Sequence, residues 1–339
     1  DTSYKEINIF ILLKLILKFK KINYINYFHE LIKNIKPEYI FTFIDNNLSF
    51  YKLKQKLKHI KFVSIQNGTR FITGDILEKL EKENKTYFVD HYFTFNECYA
   101  KTVGKYIRGN YKVIGSLKNN FFKIEKKYQK NSICYISRMS DIFLKYSSKV
   151  DIETIKKEHK EWEINLVNFV IDLLKNLDKY CQNKKLKLNI LGSSKNYEIE
   201  NNFFKNIFNH NSFNFIPKKN LYDSYKNIDK FEILINPMST FGYEAISREK
   251  KVCFFSGDFI KGSSFIWPLN LEKKGNFFSN SNSFEEIKRV IDYLLKLDDK
   301  SWSKEISKYH KKLFFYDQNN LVIKKFLTDK GLTSKWSKD

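Results

Sequence analysis

Short apolar runs alternate with segments of helical spacing along most of this chain. Tyr39 to Ile44 is a near-continuous β-branched and aromatic run, as expected of a strand buried on both faces. It ends in Asp45-Asn46-Asn47. A helix over Ser49–His59 leads to a strand at Lys61–Ile65, which ends in Gln66-Asn67-Gly68-Thr69-Arg70. The spacing then predicts a helix over Asp75–Asn84, a strand at Tyr92–Phe95, a helix through Lys105 and a strand at Tyr111–Ile114 closed by Gly115-Ser116. Before all of these, Ile25–Ile35 has helical spacing and stops before Pro37. Strands and helices alternating at this interval imply a parallel sheet with right-handed crossovers. Ligands of such sheets bind beyond the carboxyl ends of the strands. The polar clusters at 45–47, 66–70, 96–97 and 115–120 all fall there and predict one cleft wall.

The stretch from Lys118 to Asn131 is lysine-rich, weakly patterned and reads as an interdomain connection. A second alternating series follows. Its strands are Ser132–Ile136, Leu186–Leu191, Phe213–Ile216, Phe231–Ile235 and Val252–Phe255. Its helices are Lys160–Cys181, Leu221–Ile228 and Gly242–Arg248, with an irregular segment at about 139–155. The stretch Gly262–Asn276 is loop-rich, Ser283–Leu297 is helical, and helical segments run over about 302–329 with a break near Tyr316-Asp317-Gln318-Asn319-Asn320. The chain thus divides into residues 1–130, 131–315 and a helical tail at 316–339. The fold class is α/β, two Rossmann-like domains in tandem.

Composition modifies this picture little. The 339 residues suffice for two such domains, and a hydrophobic content of 42% supports a packed core. The net charge of +23 suggests a polyanion or an anionic membrane as partner. However, Arg occupies only positions 70, 108, 138, 248 and 289, and Lys, Asn, Ile, Phe and Tyr are all abundant. That is the signature of an A/T-rich genome, so composition explains more of the charge than function does. The four Cys (98, 134, 181 and 253) are scattered without a CxxC, as in a reduced cytoplasmic protein. The six His are far apart and predict no metal site; no cofactor is expected. No apolar run is long enough to span a membrane. Ile9–Phe19, broken by Lys14 and Lys18, reads as a core-facing helix or as an amphipathic helix lying on the inner face of the cell membrane.

The chemistry concentrates in Asn236–Ala245 (NPMSTFGYEA), a turn that leaves a buried strand and opens a helix. The free amides of a helix start suit a phosphate, so Ser239 and Thr240 are phosphate contacts or plain caps. Arg138, at the end of the strand Ser132–Ile136, pairs with the same phosphate or with a surface acid. Gly192 and Ser193 form a similar strand-end turn that contacts base or ribose, or simply turns the chain. Glu244 could accept hydrogen bonds from a sugar diol, or be a helix-surface carboxylate. Asp45 faces the predicted cleft and is the best available general base, with helix capping as its ordinary alternative. His91 ranks below it, being near a strand start. Gln66, Asn67 and Arg70 are binding groups for an acceptor or an acidic sugar, unless Asn67-Gly68 only forms a turn.

Three stretches carry a resemblance: FVSIQNG at Phe62–Gly68, VIGS at Val113–Ser116, and NPMSTFGYEA with the KKVCFFS that follows. Their order and placement resemble bacterial surface-polysaccharide glycosyltransferases of GT-B type, which act in capsule or lipopolysaccharide assembly. The resemblance includes enzymes that use CMP-activated acidic sugars. It implies metal-independent transfer from a nucleotide-sugar donor to a glycan or lipid-linked glycan acceptor. It also implies a nucleotide-diol role for Glu244, and no nucleic acid partner. Such a domain normally begins with a strand and a Gly-rich turn, absent before Ile9, so a leading βα portion is expected to be lacking. CDP-glycerol transferases are similar in layout but tend to carry His at the position of Asn67. A sugar-nucleotide epimerase of the same architecture and a noncatalytic polyanion-binding module are the other readings.

Overall fold

The computed structural model describes residues 7–125, 127–140, 142–143, 145, 152–208 and 213–333. His210 and much of the predicted irregular segment at 139–155 lie outside the described residues. Two helices come first, α1 (Ile9–Leu17) and α2 (Tyr24–Ile35), each started by an Asn cap, Asn8 and Asn23. A four-stranded parallel sheet follows in the order β1 (Tyr39–Thr42), β2 (Lys61–Ile65), β3 (Tyr87–Thr94), β4 (Ile107–Val113). Its crossovers are α3 (Leu48–Lys56), α4 (Ile76–Glu83) and α5 (Glu97–Val103). A short helix, α6 (Leu117–Phe121), begins the connection to the second sheet.

The second sheet is six-stranded and parallel. Its strands are β5 (Gln129–Ile136), β6 (Leu188–Leu191), β7 (Phe213–Ile216), β8 (Phe231–Asn236), β9 (Lys251–Phe255) and β10 (Phe278–Ser279), in the order β10-β9-β8-β5-β6-β7. The intervening helices are α7 (Ile152–Glu158), α8 (Glu161–Lys184), α9 (Tyr197–Ile207), α10 (Asp223–Asn227) and α11 (Thr240–Ser247). The chain ends with α12 (Phe284–Lys296), α13 (Asp299–Ser307) and α14 (Leu321–Asp329). Strand order reverses direction at β5, so the crevice beyond β5 and β8 is the topological switch point where doubly wound sheets bind ligands. The main core surrounds this sheet. α14 instead returns to the first sheet, where Ile323 and Phe326 pack with Val63, Ile65, Phe93 and Ile114.

Several sequence expectations change. β1 is an edge strand, half-buried throughout, and Phe43 and Ile44 beyond it are exposed, so it is not buried on both faces. β3 starts five residues earlier than Tyr92. Its Asp90 hid the pattern, because the pairing with β4 slips between Phe88 and His91 and the Asp90 carboxylate accepts the Phe62 N–H at 2.7 Å. His91 therefore lies inside β3 rather than near its start, with its ring 4.7 Å from that of Phe326. The predicted connection at 118–131 already contains most of α6 and the start of β5.

Candidate functional site

The turn between β8 and α11 is built from side-chain-to-backbone bonds. The Asn236 Oδ1 accepts the Ser239 N–H and its Nδ2 donates to the Ser239 carbonyl, both at 3.1 Å. Met238 adopts a left-handed conformation (φ 62°), a strain of the kind found at binding turns. Gly242 lets the first turn of α11 close over Asn236, since a Cβ there would stand 2.2 Å from the amide carbon. Ser239 caps the helix, accepting the Phe241 N–H at 3.3 Å.

The first sheet meets this turn with its own strand end. The Thr69 N–H donates to the Thr240 hydroxyl at 3.0 Å, and the two hydroxyls lie 3.1 Å apart. Gly68 permits the approach: a Cβ there would lie 3.1 Å from the Thr240 Oγ1. A second bridge forms where the Ser116 hydroxyl donates to Glu244 and the Asn119 amide donates to the Glu244 carbonyl at 3.2 Å.

Two compartments open on either side of the Thr69–Thr240 bridge. One, about 230 Å³, is lined by Ser137, Gly192, Ser193, Lys218, Tyr225, Phe241 and Glu244, with Asn67 and Lys118 from the first sheet's side. The other, about 320 Å³, is lined by Arg70, Thr73, Gly74, Asp75, Arg138, Trp162 and Met238. Ser239 and Thr240 belong to both. The helix start therefore sits at the junction.

The cations are what distinguish this cleft. Arg70, Arg248 and Arg289 each pair with a carboxylate, and Arg108 is exposed. Arg138 is half-buried and has no carboxylate partner among the described residues; its guanidinium donates to the Met238 carbonyl at 3.3 Å. Burial lowers its proton affinity, opposed by Tyr135 and Asp75. Lys218 is likewise half-buried, and its pKa is lowered by burial and by the nearby Lys118, with Glu200 and Asp223 opposing. Neither lysine has an ion-pair partner among the described residues. A half-buried cation without an acid is costly to keep unless a ligand supplies the charge. Among the described residues no cluster of metal-ligating side chains occurs.

The predicted site residues divide. Arg138, Gly192, Ser193, Ser239, Thr240 and Glu244 all line the cleft. Some of their polar groups are engaged internally. The Ser193 N–H donates to the buried Glu200 at 3.0 Å, so this turn's amides already hold an anion. Glu244 also accepts the Tyr225 hydroxyl at 2.9 Å. Its pKa is raised by burial, with Ser116 and Tyr225 partly offsetting this. Asp45 departs most from expectation. It is fully buried and accepts from the Arg70 Nε at 3.1 Å, the Tyr92 hydroxyl at 3.0 Å and the Asn67 N–H at 3.2 Å. In this setting it anchors Arg70 and does not present a base to a substrate. Gln66 is buried as well, accepting the Phe95 N–H and donating to the Gly68 carbonyl, both at 2.7 Å. Asn67 and Arg70 touch, the Arg70 guanidinium donating to the Asn67 Oδ1, yet Asn67 lines the smaller compartment and Arg70 the larger. Sequence reasoning missed Lys218, Tyr225, Asp75 and Trp162. Lys218 was within reach, because it follows the strand ending at Ile216. Trp162 comes from the first turn of α8, and only the packed structure brings it to the cleft.

Comparison with known proteins fits this geometry. S. aureus MnaA, solved with UDP, aligns over 98% of this chain and 82% of its own at 11% identity and a TM-score of 0.53. The UDP-GlcNAc 2-epimerase of Methanocaldococcus jannaschii, in complex with UDP-GlcNAc and UDP, aligns over 90% and 79% at 13% identity and a TM-score of 0.52. At such identities the likeness establishes the fold, two Rossmann-like domains of GT-B type. No curated protein matches the chain. A family model described as "putative O-antigen biosynthesis protein" matches residues 63–331, which take in three strands of the first sheet, the whole second sheet and the cleft between them, and the chain belongs to that O-antigen biosynthesis family.

Proposed function

We propose that this protein is a glycosyltransferase that moves a sugar from a nucleotide-activated donor to a surface-glycan acceptor. The observation that carries the reading is the set of cations outside any ion pair among the described residues, Arg138, Lys118 and Lys218, gathered around the start of α11. A phosphate at that start would meet the helix dipole and Arg138 together. The nucleoside would lie toward Ser193 and Glu244, where Glu244 exchanges its bond from Ser116 for a ribose hydroxyl. As negative charge grows on the departing phosphate, these donors stabilise it without a metal. The donor we favour is a CMP-activated acidic sugar, whose phosphate and carboxylate together match the spread of cations over both compartments. No His lines either compartment, so the acid/base set of an epimerase has less support.

We further propose peripheral contact with an anionic membrane through α1. No helix among the described residues is long and apolar enough to cross a membrane. α1 nonetheless exposes Ile9, Phe10 and Leu17, followed by a fully exposed Phe19 and the basic Lys21. Co-sedimentation with vesicles containing phosphatidylglycerol tests this; loss of pelleting in Phe10→Glu is expected, and no pelleting of the wild type refutes it. The transferase reading is tested by incubating the protein with CMP-, UDP- and GDP-activated sugars and lipid-linked glycans from the source cells. Release of free nucleotide with extension of the glycan is expected. Conversion of a nucleotide sugar to its epimer, without extension, would replace the reading.

A further inference from the structure

We infer that the larger compartment takes the acceptor saccharide and that Asp75 is the base that activates its hydroxyl. This rests on the transferase reading. Asp75 caps α4 through one oxygen only: Oδ1 accepts the Ile76 N–H at 2.7 Å. Asp75 lines the compartment, and its Oδ2 forms a long ion pair with Arg70 at 3.9 Å and accepts no hydrogen bond among the described residues. The side chain remains 15% accessible, whereas that of Asp45 is sealed. A base must reach the proton it removes, so accessibility decides between the two carboxylates.

The opposite wall supplies recognition. The indole of Trp162 closes on Gly74, where a Cβ would lie 3.3 Å from the ring. Its Nε1–H is buried and has no acceptor among the described residues. An indole face with a free N–H suits a sugar ring, which offers an apolar face and hydroxyl oxygens at its rim. Arg138 stands between this wall and the start of α11, able to hold a phosphate or an acidic substituent there. The order along the cleft is then nucleoside, phosphate, transferred sugar, acceptor.

The acceptor oxygen attacks the anomeric carbon from the side opposite the phosphate. Its O–H bond breaks and the proton passes to Asp75 Oδ2. The anomeric C–O bond to phosphate breaks, and its electron pair leaves on the phosphate oxygen beside Ser239 and Arg138. The configuration inverts.

The test compares wild type, Asp75→Asn and Trp162→Phe in the glycan-extension assay, with nucleotide-induced thermal shifts measured alongside. Asn keeps the cap to Ile76. Asp75→Asn is expected to lose 100-fold or more in kcat, at the lower end of what a positioned base contributes, with an unchanged thermal shift. It should also lose the acidic limb of the pH–rate profile. Trp162→Phe is expected to raise KM for the glycan at a near-normal kcat. An Asp75→Asn rate within threefold of wild type, or one that keeps the acidic limb, overturns the assignment and leaves the transferase reading standing. A wild type that extends no glycan removes both.

Discussion

Asp45 and Arg138 are both strand-end charges, yet one is sealed and the other waits for a partner. Asp45 and Arg70 form a buried pair supported by Tyr92 and the Asn67 N–H. Removing one member of such a pair strands the other in low dielectric. Asp45→Asn should therefore destabilise the protein by about 3 kcal/mol in urea denaturation, and Asp45→Asn with Arg70→Met by clearly less. Equal loss in both would show that the pair is not what the site depends on. Lys250 offers a pH test. Its ammonium is buried and donates to the Asp229 carbonyl at 3.1 Å, and its pKa is lowered to about 8 by burial, with Asp229 opposing. Between pH 8 and the ordinary lysine value the unfolded chain binds the extra proton, so stability should rise with pH there. Relative to Lys250→Met, the wild type is expected to gain up to ~3 kcal/mol across that interval, at ~1.4 kcal/mol per unit; a flat difference contradicts the burial. The role of Asp45 was not legible in the sequence, because a strand-end Asp looks the same whether an Arg twenty-five residues on folds over it or not.

α11 is the element in which sequence and structure agree most closely. The Ser239 cap and the strand-turn-helix unit follow from residue types alone; the helix start moves from Gly242 to Thr240 and its end from Arg248 to Ser247. The tight contact of Gly242 with Asn236 was not legible, since it depends on the Asn236 side chain folding back over the turn. Ala at 242 would favour the helix by ~1 kcal/mol. The Cβ would nevertheless stand 2.2 Å from Asn236, and overpacking of this kind costs about 1–3 kcal/mol. Gly242→Ala is thus expected to lower stability in the wild type and to cost less in Asn236→Ala, where only the Cβ of residue 236, 2.7 Å away, remains, read from thermal unfolding of the four-member cycle. β3 is the counterexample. Alternation along Tyr87–His91 was obscured by Asp90, which serves the sheet by accepting the Phe62 N–H of the neighbouring β2.

For the whole molecule, alternation was enough to place two parallel sheets in series with their strand ends facing each other. It did not reveal that α14 crosses back to the first sheet, because an amphipathic tail carries no address. Phe326 is its anchor, edge-on to Phe93 at 5.0 Å. Phe326→Ala should cost about 3 kcal/mol, seen as a lower Tm and earlier proteolysis of the first sheet; an unchanged Tm would mean the tail does not hold the domains together. We propose that the cleft between those domains, where Arg138, Lys118 and Lys218 stand around a helix start, binds the donor nucleotide. Thermal shift with CMP, CDP, UDP and GDP tests it most directly, since a ligand of the native state raises Tm by mass action. The expected result is a rise with at least one nucleotide, largest with CMP for an acidic-sugar donor, and its loss in Arg138→Ala and Lys218→Ala. No rise with any of the four, or a rise that survives both substitutions, contradicts the account.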